Sequence, residues 1–145
     1  MAALRDKLTK WRRLRPSERA AFRIAYVLLP VTTASLKISG LAVTRKRLTR
    51  WLPTRPLVTG SGPEDQAEAI ARMVAAAARL HPVPAKCLAK SMTLWFLLAR
   101  VGIDSQVRIG VAVVDDLFDA HAWVDLEGRI LLGTPESVSQ YSVMI

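Results

Sequence analysis

The chain contains one cysteine and two histidines, and the cysteine stands where nucleophilic chemistry would need it. Cys87 comes three residues after Pro84 and opens a long apolar run, so we expect it at the start of a helix. The N–H groups and the dipole at a helix start favour an anion, and Lys86 and Lys90 add positive charge nearby. Free cysteines are also among the most buried residues, so a purely structural Cys87 remains an alternative.

His121 belongs to the stretch "DAHAWVDL", whose alternation is typical of a strand. Alternate residues of a strand share a face, so the pattern predicts one polar face and one apolar face. The predicted polar face carries Asp119, His121, Trp123 and Asp125. A lone histidine is usually structural, but a thiol at a helix start with a histidine on a strand behind it is how a Cys–His site must be built. The pair therefore predicts nucleophilic catalysis.

The elements that would position this pair follow from the hydrophobic periodicity. A basic amphipathic helix is predicted over residues 3–14 and a second helix over about 18–38, bent or broken at Pro30; Gly40 is the predicted stop of the second helix and precedes a third short basic helix. An alanine-rich helix then begins near Pro63, and the run 85–102 is apolar on most sides, as expected for a central core helix. After it the period becomes two, with strands in "QVRIGVAV", "HAWVDL" and "RILLG", a turn at "DDLFD" and a hairpin at "EG". Helices followed by an antiparallel sheet predict an α+β fold.

Charge divides the chain into two regions. Residues 1–56 carry 14 lysines and arginines against Asp6 and Glu18, whereas residues 57–145 carry 7 against 10 acids. We therefore predict a basic helical region over 1–56 that docks on a partner or an anionic membrane surface, and a catalytic domain over 57–145. Nucleic acid is not favoured as the partner, because the basic region has few aromatic residues and no nucleic-acid-binding motif.

Composition also bears on compartment and cofactors. A single cysteine gives no disulfide framework, and no Cys/His cluster has the spacing of a zinc site. The N-terminus is charged throughout and lacks the pattern of a signal peptide, and the apolar stretch 24–43 is interrupted by Pro30, Lys37 and Gly40. We expect a cytoplasmic protein, or one attached peripherally to a membrane, without a metal or organic cofactor.

Two motifs together carry a family resemblance. "C-L-x-x-S", formed by Cys87, Leu88 and Ser91, opens the predicted core helix, and "HAWVDLEGR" covers the histidine strand and its turn. With these motifs the chain resembles the transglutaminase-like leader peptidases of lasso-peptide biosynthesis. The resemblance extends over roughly residues 64–145, including "LLGTPESVSQY". It implies a transglutaminase/papain-like cysteine-protease core, with a central helix packed on an antiparallel sheet.

The resemblance also implies an activity and partners. Cys87 would be the nucleophile and His121 the general base of an endopeptidase that cuts a ribosomally made precursor between leader and core. A small separate protein would recognise the leader, and an ATP-dependent lasso cyclase would then close the ring. Two alternatives remain open: an acyltransferase that uses the same thiol, and a non-catalytic peptide-binding scaffold.

The third catalytic residue is the point at which the sequence departs from the family, which usually has an acid just after the hairpin. If Glu127-Gly128 is a two-residue turn, residue 126 pairs with 129 and His121 faces Thr134. A threonine orients an imidazole less well than a carboxylate. We therefore expect Asp119 to orient His121, with Thr134 and Glu136 as alternatives.

Overall fold

The computed structural model describes residues 2–54, 62–82, 85–132 and 141–143, which form four helices and one four-stranded sheet. In chain order the elements are α1 (Ala2–Arg13), α2 (Pro16–Arg50), α3 (Pro63–Leu80), α4 (Cys87–Arg100), β1 (Gln106–Val114), β2 (Leu117–Leu126), β3 (Arg129–Leu131) and β4 (Ser142–Val143). Helices precede an antiparallel sheet of order β3-β2-β1-β4, which confirms the predicted α+β class.

The helix α4 is central, as its apolar composition predicts. Its residues from Ser91 to Leu98 are all buried, and it packs against α2, α3 and the sheet. Gly102 has a φ of 81°, a left-handed conformation that costs glycine little, and it ends the helix by donating to the carbonyl of Ala99. The helix is thus fixed at its C-terminal end and along its length, which holds Cys87, its first residue, in place.

The long helix α2 differs from the prediction at Pro30 and agrees with it at Gly40, the predicted helix stop. Pro30 lies inside it, and the departure from helical dihedral angles is at Gly40, with φ 80° and ψ 179°. A proline removes one hydrogen bond, which the packing of neighbours such as Leu29, 1% exposed, offsets in a helix of this length. The break falls where glycine tolerates a positive φ, and not at the proline.

One buried core includes residues from both of the regions that charge distinguishes. Leu29 and Leu48 of α2 belong to the same buried cluster as Val74 of α3 and Leu98 of α4. The predicted boundary at residues 56 and 57 falls in the segment 55–61, outside the described residues, and stays a prediction. The helix α2 is nevertheless part of the scaffold that supports α4.

The two hairpins of the sheet have turns of two residues. Asp115 and Asp116 both have positive φ, as a type I′ turn requires, so the predicted "DDLFD" turn is shorter than expected and Asp119 lies within β2. Glu127 and Gly128 form the predicted second turn, and Leu126 pairs with Arg129 as predicted. This register places Asp119 and His121 on one face of β2.

Candidate active site

Cys87 is the first residue of α4, as predicted. Lys86 is the N-cap with extended dihedral angles, and no hydrogen bond from its side chain caps the helix. The first N–H groups of a helix have no carbonyl one turn earlier to bond, so those of Cys87 and Leu88 remain available to a ligand. Cys87 is partly exposed. A nucleophile at this position could be reached by substrate, and the adjacent N–H groups could bind an oxyanion.

Cys87 and His121 line the same cleft. It has a volume of about 520 Å³ and lies between the C-terminal half of α3, the start of α4 and β2. Its described lining residues are Ala75, Ala78, Arg79, Ala85, Cys87, Lys90, Ser91, His121, Ala122 and Leu132. The charged side chains among them are the cations Arg79 and Lys90, so the described walls favour an anion. The fold therefore brings together two residues that are 34 positions apart in the sequence.

His121 is held by aromatic side chains on its own face of the sheet. Its ring stacks on Trp123, with centroids 6.1 Å apart and an interplanar angle of 25°, and lies 5.4 Å from the ring of Tyr141. Trp123 is 5% exposed, whereas His121 is only partly buried. A buried aromatic neighbour restricts the rotation of the imidazole.

Asp119 lies on the same face, two residues before His121, and its carboxylate is hydrogen-bonded. The hydroxyl of Tyr141 donates to Oδ2 of Asp119 over 2.5 Å. Asp119 is not among the described residues that line the cleft; the described contact that it shares with His121 is Tyr141, whose hydroxyl donates to the carboxylate and whose ring lies beside the imidazole. Thr134 and Glu136, the other two candidates, lie outside the described residues.

Gly110 allows the aromatic rings to approach the sheet. It pairs with His121 on one side and with Val143 on the other. A Cβ atom at this position would be 2.7 Å from Cβ of Tyr141 and 2.9 Å from the Trp123 ring. Glycine inside a strand often marks a close approach of this kind. The Tyr141 and Trp123 rings therefore occupy the space that a side chain at residue 110 would need.

We expect Gly110→Ala to displace Tyr141 and to destabilise the fold by about 1–3 kcal/mol, the usual cost of overpacking. The clash involves the Cβ of Tyr141, which cannot move without its backbone. Urea denaturation would give the free energy of unfolding of the variant and of the unaltered chain, and the rate of peptide cleavage would be measured on both. The matched control is Gly62→Ala, because a Cβ there meets nothing within 4 Å. Equal stability of the two variants would contradict this account of Gly110.

Ser91 adds a buried polar group to the cleft. It is 1% exposed, and its hydroxyl has no hydrogen-bond partner among the described residues. Ser91 lies four residues after Cys87, so the two side chains share a face of α4. Burying an unpaired hydroxyl costs free energy, so a bound group that satisfied it would be stabilised. The sequence motif includes Ser91 but does not reveal this burial.

Tyr141 is the residue of this site that the sequence does not single out. It stands just before the two-residue strand β4, which is too short for its periodicity to be recognised. The one available signal was Gly110 within an apolar strand, which indicates that something packs closely there. Among the residues described, no group of three or more His, Cys, Asp or Glu is arranged to hold a metal ion.

An α+β domain with a cysteine at the start of its central helix, and a histidine on the adjoining antiparallel strand, has the arrangement of a Cys–His site. Comparison with known families agrees with this class: residues 25–145 match the transglutaminase-like superfamily, and the chain belongs to it. That superfamily includes cysteine proteases and acyltransferases. No curated protein and no solved structure matches the chain significantly.

Proposed function

We propose that this protein is a cysteine endopeptidase with a papain-like mechanism that removes the leader from a lasso-peptide precursor. The observation that carries the catalytic part is the shared cleft of Cys87 and His121. The choice of a lasso precursor rests on the motifs "C-L-x-x-S" and "HAWVDLEGR". Membership of a superfamily that includes cysteine proteases supports the reaction type.

The first half of the reaction forms an acyl-enzyme. His121 takes the proton of the Cys87 thiol, and the sulfur attacks the carbonyl carbon of the peptide bond between leader and core. The N–H groups at the start of α4 donate to the resulting oxyanion. Protonated His121 then gives its proton to the nitrogen of the core peptide, which leaves as an amine, while the leader stays on Cys87 as a thioester.

The second half of the reaction releases the leader. His121 takes a proton from a water molecule as its oxygen attacks the thioester carbonyl; the C–S bond then breaks, the leader leaves with a new carboxyl terminus, and protonated His121 returns the proton to the Cys87 sulfur. An amine in place of water would give acyl transfer, the alternative reaction within this superfamily. The cleft residues carry out the same steps in either case, and only the acceptor differs.

Asp119 is the proposed orienting acid, and Tyr141 a positioning residue. The tyrosine hydroxyl donates to one carboxylate oxygen of Asp119, and its ring lies 5.4 Å from the imidazole. The Trp123 ring stacks on the imidazole of His121 and restricts its rotation as well. These ring contacts restrict the rotation of an imidazole that also lines the cleft.

Asp119→Asn should lower the rate of cleavage at least about tenfold, because removing the acid that orients a catalytic histidine has large effects in other enzymes. Thr134→Val and Glu136→Gln are the parallel variants, and Asp104→Asn, an exposed aspartate outside the cleft, is the control. A loss confined to Thr134→Val or Glu136→Gln would assign the third role to that residue and contradict our choice of Asp119.

The substrate assignment has a direct test. A candidate leader–core peptide from the neighbouring genes is incubated with the protein and with a small leader-recognition protein, with and without a primary amine. Mass spectrometry should show free leader and free core, each with a newly formed terminus, and no amine adduct. An adduct on the leader would favour the acyltransferase. If the neighbourhood contains no such peptide, leader-recognition protein or ATP-dependent cyclase, the lasso assignment fails and an unspecified Cys–His hydrolase remains.

A further inference from the structure

The apolar part of α2 is largely uncovered. By length and composition this helix could cross a membrane, yet only 28% of its most apolar window is buried within the protein. Val27, Val31 and Ile38 are 66%, 43% and 84% exposed. Their spacing places them along one side of the helix. A helix of this composition that served only the core would be covered by protein.

The opposite side of α2 is packed into the core. Ala21, Ala25, Leu28 and Thr32 are buried, and the helix contacts α3 and α4. A helix attached to a folded domain along one side cannot be surrounded by lipid. The uncovered side of α2 can therefore contact a membrane only with the helix axis parallel to the membrane surface.

The break at Gly40 extends this uncovered side. The segment after Gly40 folds back on the segment before it: the hydroxyls of Ser35 and Thr44 are 2.8 Å apart, and Arg47 donates to Ser35 over 3.1 Å. This brings Trp51, 57% exposed, to a groove of about 460 Å³ that Val31 and Ile38 also line. We call Val27, Val31, Ile38 and Trp51 together the α2 surface.

Cations flank the α2 surface. Arg23 is exposed one turn before Val27, and three exposed cations, Lys46, Arg47 and Arg50, come within the five residues before Trp51, with Arg47 lining the same groove. The sequence from residue 19 to residue 54 contains no aspartate or glutamate. An apolar strip with a tryptophan and with cations at both ends has the composition of a helix that lies at a membrane surface. The positive charge of this strip complements the negative charge of an anionic membrane surface.

We propose that the α2 surface binds the anionic phospholipid face of a membrane. Val27, Val31, Ile38 and Trp51 enter the boundary between headgroups and acyl chains, and Arg23, Arg47 and Arg50 lie at the level of the lipid phosphates. The cleft with Cys87 is built from α3, α4 and β2 and does not use the α2 surface. Membrane binding is therefore independent of the proposed peptidase reaction.

The test is co-sedimentation of the full chain with vesicles of phosphatidylcholine alone or with about one-third phosphatidylglycerol. We expect binding to the anionic vesicles, with an affinity that falls as salt is raised. Ile38→Asp should weaken it tenfold or more, and Arg50→Glu several-fold. Phe118→Asp, at an equally exposed apolar residue of the β1–β2 hairpin, should have no effect. Circular dichroism checks that each variant is folded.

Several outcomes would overturn the proposal. These are equal binding to both kinds of vesicle, no binding to either, or equal losses for Ile38→Asp and Phe118→Asp. If Ile38→Asp instead abolished binding to an acidic leader-recognition protein, with no vesicle binding by the unaltered chain, the α2 surface would be a protein interface. Cys87→Ser should bind vesicles like the unaltered chain, so failure of the peptidase assignment would leave this result unchanged.

Discussion

Replacing Cys87 by serine should lower the rate of precursor cleavage by about a thousandfold or more, with the fold unchanged. Loss of the nucleophile removes the covalent intermediate, and single replacements of this kind cost up to about a millionfold in proteases. The substitution changes one atom at a partly exposed position, so little packing is lost. The measurement is the initial rate of leader release, followed by mass spectrometry.

The control for this prediction is substrate binding. Cys87→Ala and Cys87→Ser should bind the precursor as tightly as the unaltered chain while failing to cut it. If the protein were a peptide-binding scaffold in which Cys87 only fills space, the unaltered chain, Cys87→Ala and Cys87→Ser would all have the same effect on the precursor. Cleavage that survived in Cys87→Ala with the fold intact would therefore contradict the assignment of a nucleophile.

The second large effect is expected for His121→Gln, which should lower the cleavage rate by about a hundred- to ten-thousandfold, the usual contribution of a general acid–base. Glutamine keeps much of the side-chain volume between Trp123 and Tyr141 but cannot exchange the proton. His81→Gln is the matched control. His81 lies at the end of α3, 4.7 Å in ring-centroid distance from Tyr26, and is not among the described residues of the cleft.

The same pair can be tested without a substrate. Because Cys87 is the only cysteine, its alkylation by iodoacetamide is followed by the mass of the intact chain. His121→Gln should slow this alkylation about tenfold near neutral pH, since the thiolate is the reacting form and the base that accepts its proton is lost. Similar rates in His121→Gln, His81→Gln and the unaltered chain would show that His121 does not act on Cys87.

Much of the scaffold follows from local patterns. The apolar run after Cys87 predicts a buried helix, and the "EG" turn fixes the pairing of Leu126 with Arg129, because two-residue turns leave little freedom of register. Pro30 was misleading because its cost is local, whereas the packing that keeps the helix intact comes from α3 and α4. Local preferences do not contain that tertiary contribution.

The candidate site is predictable to a lesser extent. Cys87 and His121 can be selected by residue type and by their places in a helix and a strand. The support of His121 by Tyr141 cannot be predicted in this way. It depends on the pairing of β4 with β1, in which Gly110 pairs with Val143, 33 positions away in the sequence. The roles of Ser91 and Gly110 likewise depend on burial and on interatomic space.

Trapping the acyl-enzyme tests the central claim, that Cys87 is a nucleophile activated by His121, most directly. A leader–core precursor is mixed with the unaltered chain, the reaction is quenched with acid during the first turnover, and the intact mass is measured. We predict an added mass equal to the leader fragment less one water, located on the peptide that contains Cys87 and absent in Cys87→Ala and in His121→Gln. Cleavage of the precursor without any such adduct, or with an adduct on another residue, would contradict the account.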